Sequence, residues 1–165
     1  MAVYKLFPLQ DASMYSFYPY MNTGIDPIIE IGNLNVNINP VPQVFRYLIE
    51  FDQNEINSVV NTKIGATKAF NSVLKAYIAN AQGVIFDTEL EIYPISGSWN
   101  NGSGTYLDSP FTTNGVSWKA RTFSGSGAGA INWLTDPAGL GTYVTASFSG
   151  SFQGGGNWFT GSSDT

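Results

Sequence analysis

The stretch Val44-Phe45-Arg46-Tyr47-Leu48-Ile49-Glu50-Phe51 decides the fold class of this chain. Its side chains alternate between two faces, and β-branched and aromatic residues dominate one of them, which is typical of a strand in a sheet. We therefore predict a strand here, with one face buried between two sheets. That predicted buried face consists of Phe45, Tyr47, Ile49 and Phe51.

Similar but shorter patterns on both sides of this stretch predict further strands. These are residues 3–7, ended by Pro8, then 15–18, 28–31, 34–38, 69–78 and 86–93. Asn22-Thr23-Gly24 has the composition of a turn. One short helix is predicted near 53–61, because Asp52 can cap it and Glu55 follows three residues later, as in a capping box.

The composition changes after Pro94. Residues 96–165 contain most of the glycines and all four tryptophans, which indicates loops joined by short strands and argues against a helix. With 165 residues the chain is long enough for one domain with a core of its own. We predict a single all-β domain over residues 1–165, with 96–165 as a Gly/Trp-rich loop and strand region.

The residue types that are missing exclude several kinds of chemistry. The chain contains no His and no Cys, so zinc enzymes, Ser-His-Asp hydrolases and Cys-His proteases are excluded. Glu89 and Glu91 share one strand face, and Asp108 and Asp136 show no pairing signal, so a pair of carboxylates facing each other across a cleft is not indicated. We expect neither catalytic residues nor a bound cofactor.

Charge argues against nucleic acid as a partner. The seven Lys and Arg residues do not cluster, and the net charge is −5. Charged residues make up only 12% of the chain, about half the usual share, which suits a surface that lies against other proteins.

A structural calcium ion stays open as a possibility, although the sequence contains no EF-hand loop. Its candidate ligands are Asp11, Asp26, Asp52, Asp108 and Asp136.

Aromatic residues in the glycine-rich region are the candidate contact residues. Such side chains stack on sugar rings and also fill protein interfaces, while a buried Trp can simply anchor a loop in the core. The candidates for an interface or a glycan contact are Trp99, Tyr106, Trp118, Trp133, Trp158 and Phe159. The N-terminus lacks the pattern of a signal peptide, and no apolar run approaches the length of a membrane helix, so we expect synthesis in the cytoplasm without membrane insertion.

Several segments, in order, resemble the DNRLRE-type β-sandwich domain. Residues 45–52, FRYLIEFD, resemble that family's "R-x-L-L-x-F-D-L" strand. The other matching segments are Asp11-Ala12-Ser13 through Asn22-Thr23-Gly24, Ile29-Glu30-Ile31-Gly32, Val73 to Ile78, Ile95 to Trp99, and Gly115 to Lys119. The resemblance spans residues 11–145, and residues 96–118 look most like the versions of the domain found in tailed phages.

The resemblance implies a fold and a role. It implies a jelly-roll-like antiparallel β-sandwich and a non-enzymatic structural protein of the bacteriophage virion, in the tail, baseplate, neck or capsid surface. The implied partners are other virion proteins and copies of the same chain. The alternative it leaves open is a carbohydrate-binding module for host surface glycans. The family's closing strands have no counterpart here, so we expect residues 141–165 to pack against another subunit or to pair with it as edge strands.

Overall fold

A computed structural model describes residues 3–34, 43–65, 67–81, 90–123, 130–133, 144–146 and 154–159. The chain divides into two compact units. The first, here called the small unit, comprises Met1–Gln10 and Ile49–Glu91, and the second, the large unit, comprises Asp11–Leu48 and Ile92–Thr165. The prediction of a single domain over residues 1–165 stays a prediction.

Seven short strands and one helical segment make up the regular structure of the described residues. The strands are β1 (Pro8–Tyr15), β2 (Gly32–Leu34), β3 (Gln43–Phe51), β4 (Ala120–Thr122), β5 (Ile131–Asn132), β6 (Val144–Ala146) and β7 (Asn157–Phe159). They form one three-stranded sheet in the order β1-β3-β2 and two two-stranded sheets, β4-β5 and β6-β7. The described part is thus compatible with the predicted all-β class, and the jelly-roll-like sandwich stays a prediction.

The predicted strand at residues 44–51 is confirmed as β3, and its register is fixed by β2. Gly32 lies opposite Phe45, and Leu34 lies opposite Gln43, in an antiparallel pair. The expected burial was wrong, however. Leu48 is only 5% exposed, whereas Phe45, on the predicted core face, is half-buried. Alternation shows which side chains share a face, but the buried face depends on residues far away in sequence.

The helix predicted near 53–61 begins where expected, and a second helical segment continues it beyond the predicted end. Helix α1 spans Gln53–Ser58, and the Asp52 carboxylate accepts a hydrogen bond of 2.8 Å from the backbone N–H of Asn54. A π-helical segment, Val59–Gly65, follows directly, and Gly65 ends it with φ of 93°. Glycine adopts this left-handed conformation without a steric penalty, which explains the stop at this residue.

Other predicted strands are absent from the described residues. The run 3–7 is not a strand, and β1 instead begins at Pro8, where the missing N–H of proline is tolerated. Residues 16–18, 28–31, 69–78 and 90–93 are not strands either, while 35–42 and 86–89 lie outside the described residues. Side-chain alternation does not supply a hydrogen-bonding partner, and without one an extended segment forms no ladder.

The core of the large unit gathers three of the four tryptophans. Met14 of β1 and Leu48 of β3 pack in one buried cluster with the three indoles, and Val44 and Ile95 pack against it. The buried residues of this cluster are Ala12, Met14, Leu48, Trp99, Val116, Trp118 and Trp133.

The described part of the C-terminal segment belongs to this same unit, and the expected pairing of residues 141–165 with another subunit stays a prediction. Strand β6 pairs antiparallel with β7, and the N–H of Phe159 donates to the carbonyl of Pro94 at 3.0 Å. Residues 154–157 are buried. Trp158 and Phe159 of β7 are half-buried, so the chain itself covers part of their apolar surface.

We expect Leu48→Ala to destabilise the large unit by about 2–5 kcal/mol, because it empties a buried site. Leu107→Ala is the matched control, since Leu107 is 87% exposed in the same unit and should change stability by no more than about 0.5 kcal/mol. Urea unfolding followed by tryptophan fluorescence measures both. Equal losses in the two variants would show that Leu48 is not in the core.

Candidate functional site

Burial separates the predicted contact aromatics into two groups. Trp99, Trp118 and Trp133 are 8%, 1% and 2% exposed, and the indole N–H of Trp133 donates to the carbonyl of Ser117 at 3.0 Å. These three side chains therefore lie in the core, where a glycan cannot stack on them. Of the other candidates, Trp158 and Phe159 are half-buried in β7, and Tyr106 is 41% exposed.

Arg46 connects β3 to this tryptophan core. Its guanidinium carbon lies 5.3 Å from the centroid of the Trp118 ring and 4.8 Å from that of Trp158, and its N–H donates to the carbonyl of Gly155 at 2.9 Å. Both distances lie in the range of cation–π attraction. Burial lowers the pKa of Arg46, but the group stays charged at any physiological pH. This cation is a structural element of the core.

Glycine is required where the chain passes Trp118. Gly155 has φ of +76°, and a Cβ there would lie 2.7 Å from the Trp118 ring. A side chain would therefore be strained by the backbone conformation and would collide with the indole as well. The glycine run at residues 154–156 thus allows close packing on a buried ring.

A single amide side chain joins the loops of the large unit. The Asn22 side-chain NH₂ donates to the carbonyls of Asn101 and Val116, both at 2.7 Å, and its oxygen accepts from the N–H of Gly104 at 2.8 Å. The backbone N–H of Asn22 donates to the carbonyl of Thr112 at 2.9 Å. Asn22 is fully buried, so these bonds form away from competing water.

Thr23, the next residue, attaches this loop to β1. Its hydroxyl accepts from the N–H of Ser13 at 3.1 Å and donates to the carbonyl of Ser13 at 2.8 Å. The Ser13 hydroxyl in turn accepts from the N–H of Glu30 at 2.7 Å. The Asn22-Thr23-Gly24 segment, predicted only as a turn, is therefore a buried polar junction.

Aromatic rings cluster on the same unit, next to this junction. Tyr15 packs against Phe45, Phe17 and Tyr106 with ring centroids 5.2, 5.9 and 5.4 Å apart. Tyr18 continues the cluster, 4.8 Å from Phe111 and 6.3 Å from Tyr106. These distances are typical of tilted and edge-on aromatic pairs, which hold one another in place.

A surface pocket of about 220 Å³ opens at one end of this aromatic cluster. It is referred to below as the aromatic pocket, and its lining residues are Phe17, Tyr18, Pro19, Tyr20, Met21, Phe111 and Thr113. Backbone hydrogen bonds hold the lining: the N–H of Met21 donates to the carbonyl of Tyr18 at 3.0 Å, and the N–H of Lys119 donates to that of Pro19 at 2.9 Å. The pocket is a preformed feature of the fold.

Three carboxylates surround the aromatic cluster. Asp26 accepts hydrogen bonds of 3.0 and 3.2 Å from the N–H of Tyr106, and Glu30 accepts one of 2.5 Å from the Tyr15 hydroxyl. Asp108 accepts from the hydroxyl of Thr112 and from the N–H and hydroxyl of Thr105, the last two at 3.0 and 2.7 Å. Each carboxylate is thus held by a turn or a ring.

The pKa values of these groups reflect their different surroundings. Hydrogen bonds from Thr112 and then Thr105 lower the pKa of Asp108. Burial raises the pKa of Asp26, and the negative charges of Glu30 and Asp108 raise it further. Burial also raises the pKa of Tyr15, with the hydrogen bond to Glu30 as the next cause, so this phenol stays protonated at neutral pH.

The described residues contain no group of three carboxylates that could hold a metal ion. Three of the candidate calcium ligands hold local structure: Asp52 caps a helix, and Asp26 and Asp108 hold turns. Asp11 lies in β1, and Asp136 falls outside the described residues.

Sequence reasoning missed the residues of the aromatic pocket. A signal was present, since residues 15–20, YSFYPY, contain four aromatics in six positions. The alternation of Tyr15 and Phe17 predicts a strand, whereas the chain turns there, with the N–H of Tyr18 donating to the carbonyl of Tyr15 at 3.2 Å. Phe111 and Thr113 reach the pocket from a loop about ninety positions further along the chain.

Comparison with known proteins identified no relative: no protein-family model, no curated protein and no solved structure matches this chain. The resemblance to the DNRLRE-type domain therefore stays a prediction. Among the described residues, no helix is long and apolar enough to span a membrane.

We expect Asn22→Asp to destabilise the large unit by about 3 kcal/mol or more, because a carboxylate would replace a donor that faces two buried carbonyls. Asn71→Asp is the control: it adds the same charge at an exposed position and should be nearly neutral. Thermal and urea unfolding of both variants provide the comparison. A nearly neutral Asn22→Asp would contradict the assigned role of this amide.

Proposed function

We propose that this chain is a non-enzymatic structural protein of a bacteriophage particle that acts through protein–protein assembly. Its place would be the tail, the baseplate, the neck or the capsid surface, with copies of itself and other virion proteins as partners. The resemblance to phage versions of the DNRLRE-type domain supports the context. One structural observation supports the assembly role, namely the exposed apolar segment of the small unit.

Residues 69–78, called the assembly segment, carry large apolar side chains that are exposed. Val73 is 77% exposed, Tyr77 88% and Ile78 85%, while Phe70 and Leu74 are 53% and 43% exposed. Soluble monomers rarely expose contiguous apolar surface of this kind unless it serves an interaction. The assembly segment therefore has the composition of a protein interface without the partner that would cover it.

The backbone of the assembly segment supports the same conclusion. No hydrogen bond joins residues 69–81 to another described residue. An extended chain with unpaired N–H and C=O groups and alternating side chains can add to the sheet edge of another molecule. Pairing of this kind would explain why a pattern typical of a strand occurs here without a ladder.

The composition and the burial of the predicted contact aromatics favour protein assembly. They are less typical of a protein that uses these aromatics to bind a charged ligand or a sugar. Only 12% of the residues are charged, as in the interior of protein interfaces. Three of the six candidate contact aromatics lie in the core, namely Trp99, Trp118 and Trp133. Their burial leaves less accessible surface for the alternative of a carbohydrate-binding module built on these tryptophans.

We predict that the purified chain self-associates with rising concentration in sedimentation velocity, and that Val73→Asp with Tyr77→Asp abolishes this association. A charge at a buried contact must be desolvated, which disfavours the complex. Both positions are highly exposed, so the double variant should remain folded. Leu107→Asp, at an 87% exposed position of the large unit, is the control and should leave association intact.

A mass-spectrometric inventory of purified particles tests the context separately. The proposal requires the chain in stoichiometric copy number. A strictly monomeric protein that is missing from particles would contradict both parts of the proposal, whereas a self-associating protein missing from particles would contradict the virion context alone.

A further inference from the structure

The aromatic pocket has a chemistry that the proposed assembly role does not use. Four of its seven lining residues are aromatic, Phe17, Tyr18, Tyr20 and Phe111. Tyr20 and Phe111 are 53% and 43% exposed, so ring surface is available to a ligand. At about 220 Å³ the pocket is smaller than the roughly 300–1,000 Å³ of sites for drug-sized ligands. It suits a single headgroup rather than an oligosaccharide.

The lining also limits the type of headgroup. Polar side-chain groups in it are confined to the two tyrosine hydroxyls and the hydroxyl of Thr113. A sugar ring carries several hydroxyl groups, and each one that loses water without gaining a partner weakens binding. A group that needs no hydrogen bonds fits this lining better.

Two carboxylates are bonded to residues next to the pocket lining, and negative charge favours a cation. Asp108 accepts from the hydroxyl of Thr112, whose two neighbours in sequence, Phe111 and Thr113, both line the pocket. Asp26 holds the N–H of Tyr106, whose ring packs 6.3 Å from that of Tyr18. Each carboxylate is therefore connected to the lining through one residue or one ring, and charges act over roughly 8–10 Å at physiological salt. One basic residue, Lys119, also contacts the lining, through the backbone hydrogen bond from its N–H to the carbonyl of Pro19.

Aromatic lining, few polar groups and nearby carboxylates together describe a site for an apolar cation. We propose that the aromatic pocket binds a quaternary ammonium group, as in choline or trimethyllysine. Aromatic rings attract such a cation through their quadrupoles, and the methyl groups replace the hydration that an ordinary ammonium would need to keep. The carboxylates of Asp26 and Asp108 add a longer-range attraction.

Titration of the full chain with matched small molecules tests the site, with chemical shifts of the tyrosine and phenylalanine rings as the signal. Choline is compared with 3,3-dimethylbutan-1-ol, which has the same shape without the charge. We expect choline to bind at least about tenfold more tightly, a difference of about 1.4 kcal/mol. The affinity for choline should fall as salt rises, because the attraction from Asp26 and Asp108 is screened.

Phe111→Leu keeps an apolar side chain and removes one ring, and should weaken choline binding by about fivefold or more. Tyr20→Leu, at the more exposed lining position, should act in the same direction if Phe111→Leu disturbs folding. Tyr77→Leu removes an exposed ring from the other unit and should leave binding unchanged.

Three results would overturn the proposal: equal affinity for choline and its neutral analogue, tighter binding of methyl α-glucoside than of choline, or no saturable binding of choline. Trimethyllysine and phosphocholine identify the source of the group. The phosphate of phosphocholine would meet the carboxylates, so we expect it to bind more weakly than choline, with trimethyllysine close to choline. The reverse order would contradict the role assigned to the carboxylates.

Discussion

The large unit depends on the buried amide of Asn22. Its side chain bonds to Asn101, Val116 and Gly104, which are 79, 94 and 82 positions away in sequence. Most of the described residues of this unit lie outside regular strands, so sheet ladders alone do not hold its loops together. A buried amide with both its donor and acceptor groups satisfied can do so, because in a low dielectric such bonds are strong and costly to break.

Around this junction, polar and aromatic side chains have different roles. The three buried tryptophans fill the core. The guanidinium of Arg46 lies over the rings of Trp118 and Trp158. The aromatic cluster extends from the buried Tyr15 to Phe17 and Tyr18, which line the aromatic pocket at the surface. Asp26 and Asp108 hold the turns behind it and give it a negative environment. The same turns that stabilise the fold thus shape the proposed binding site.

Local patterns predicted those elements whose stability is mostly local. The alternation over residues 44–51 and the capping position of Asp52 correspond to β3 and the start of α1. The buried face of β3 was not predictable in this way, because Leu48 is buried by residues such as Trp99 and Trp118, which lie about fifty or more positions away. Asn22 and the aromatic pocket depend on equally distant partners. A three-residue Asn-Thr-Gly motif carries no local sign that its amide will be buried.

The central claim is that the Asn22 side chain stabilises a large unit that folds without a partner, whereas the assembly segment 69–78 binds a partner. Amide hydrogen exchange, measured on a dilute monomer and on the assembled form, tests both halves at once. The account predicts strong protection of the Asn22, Gly104 and Val116 amides in both samples. It predicts fast exchange across 69–78 in the monomer and protection in the assembly. Protected amides across 69–78 in the monomer, or fast exchange at Asn22, would contradict it.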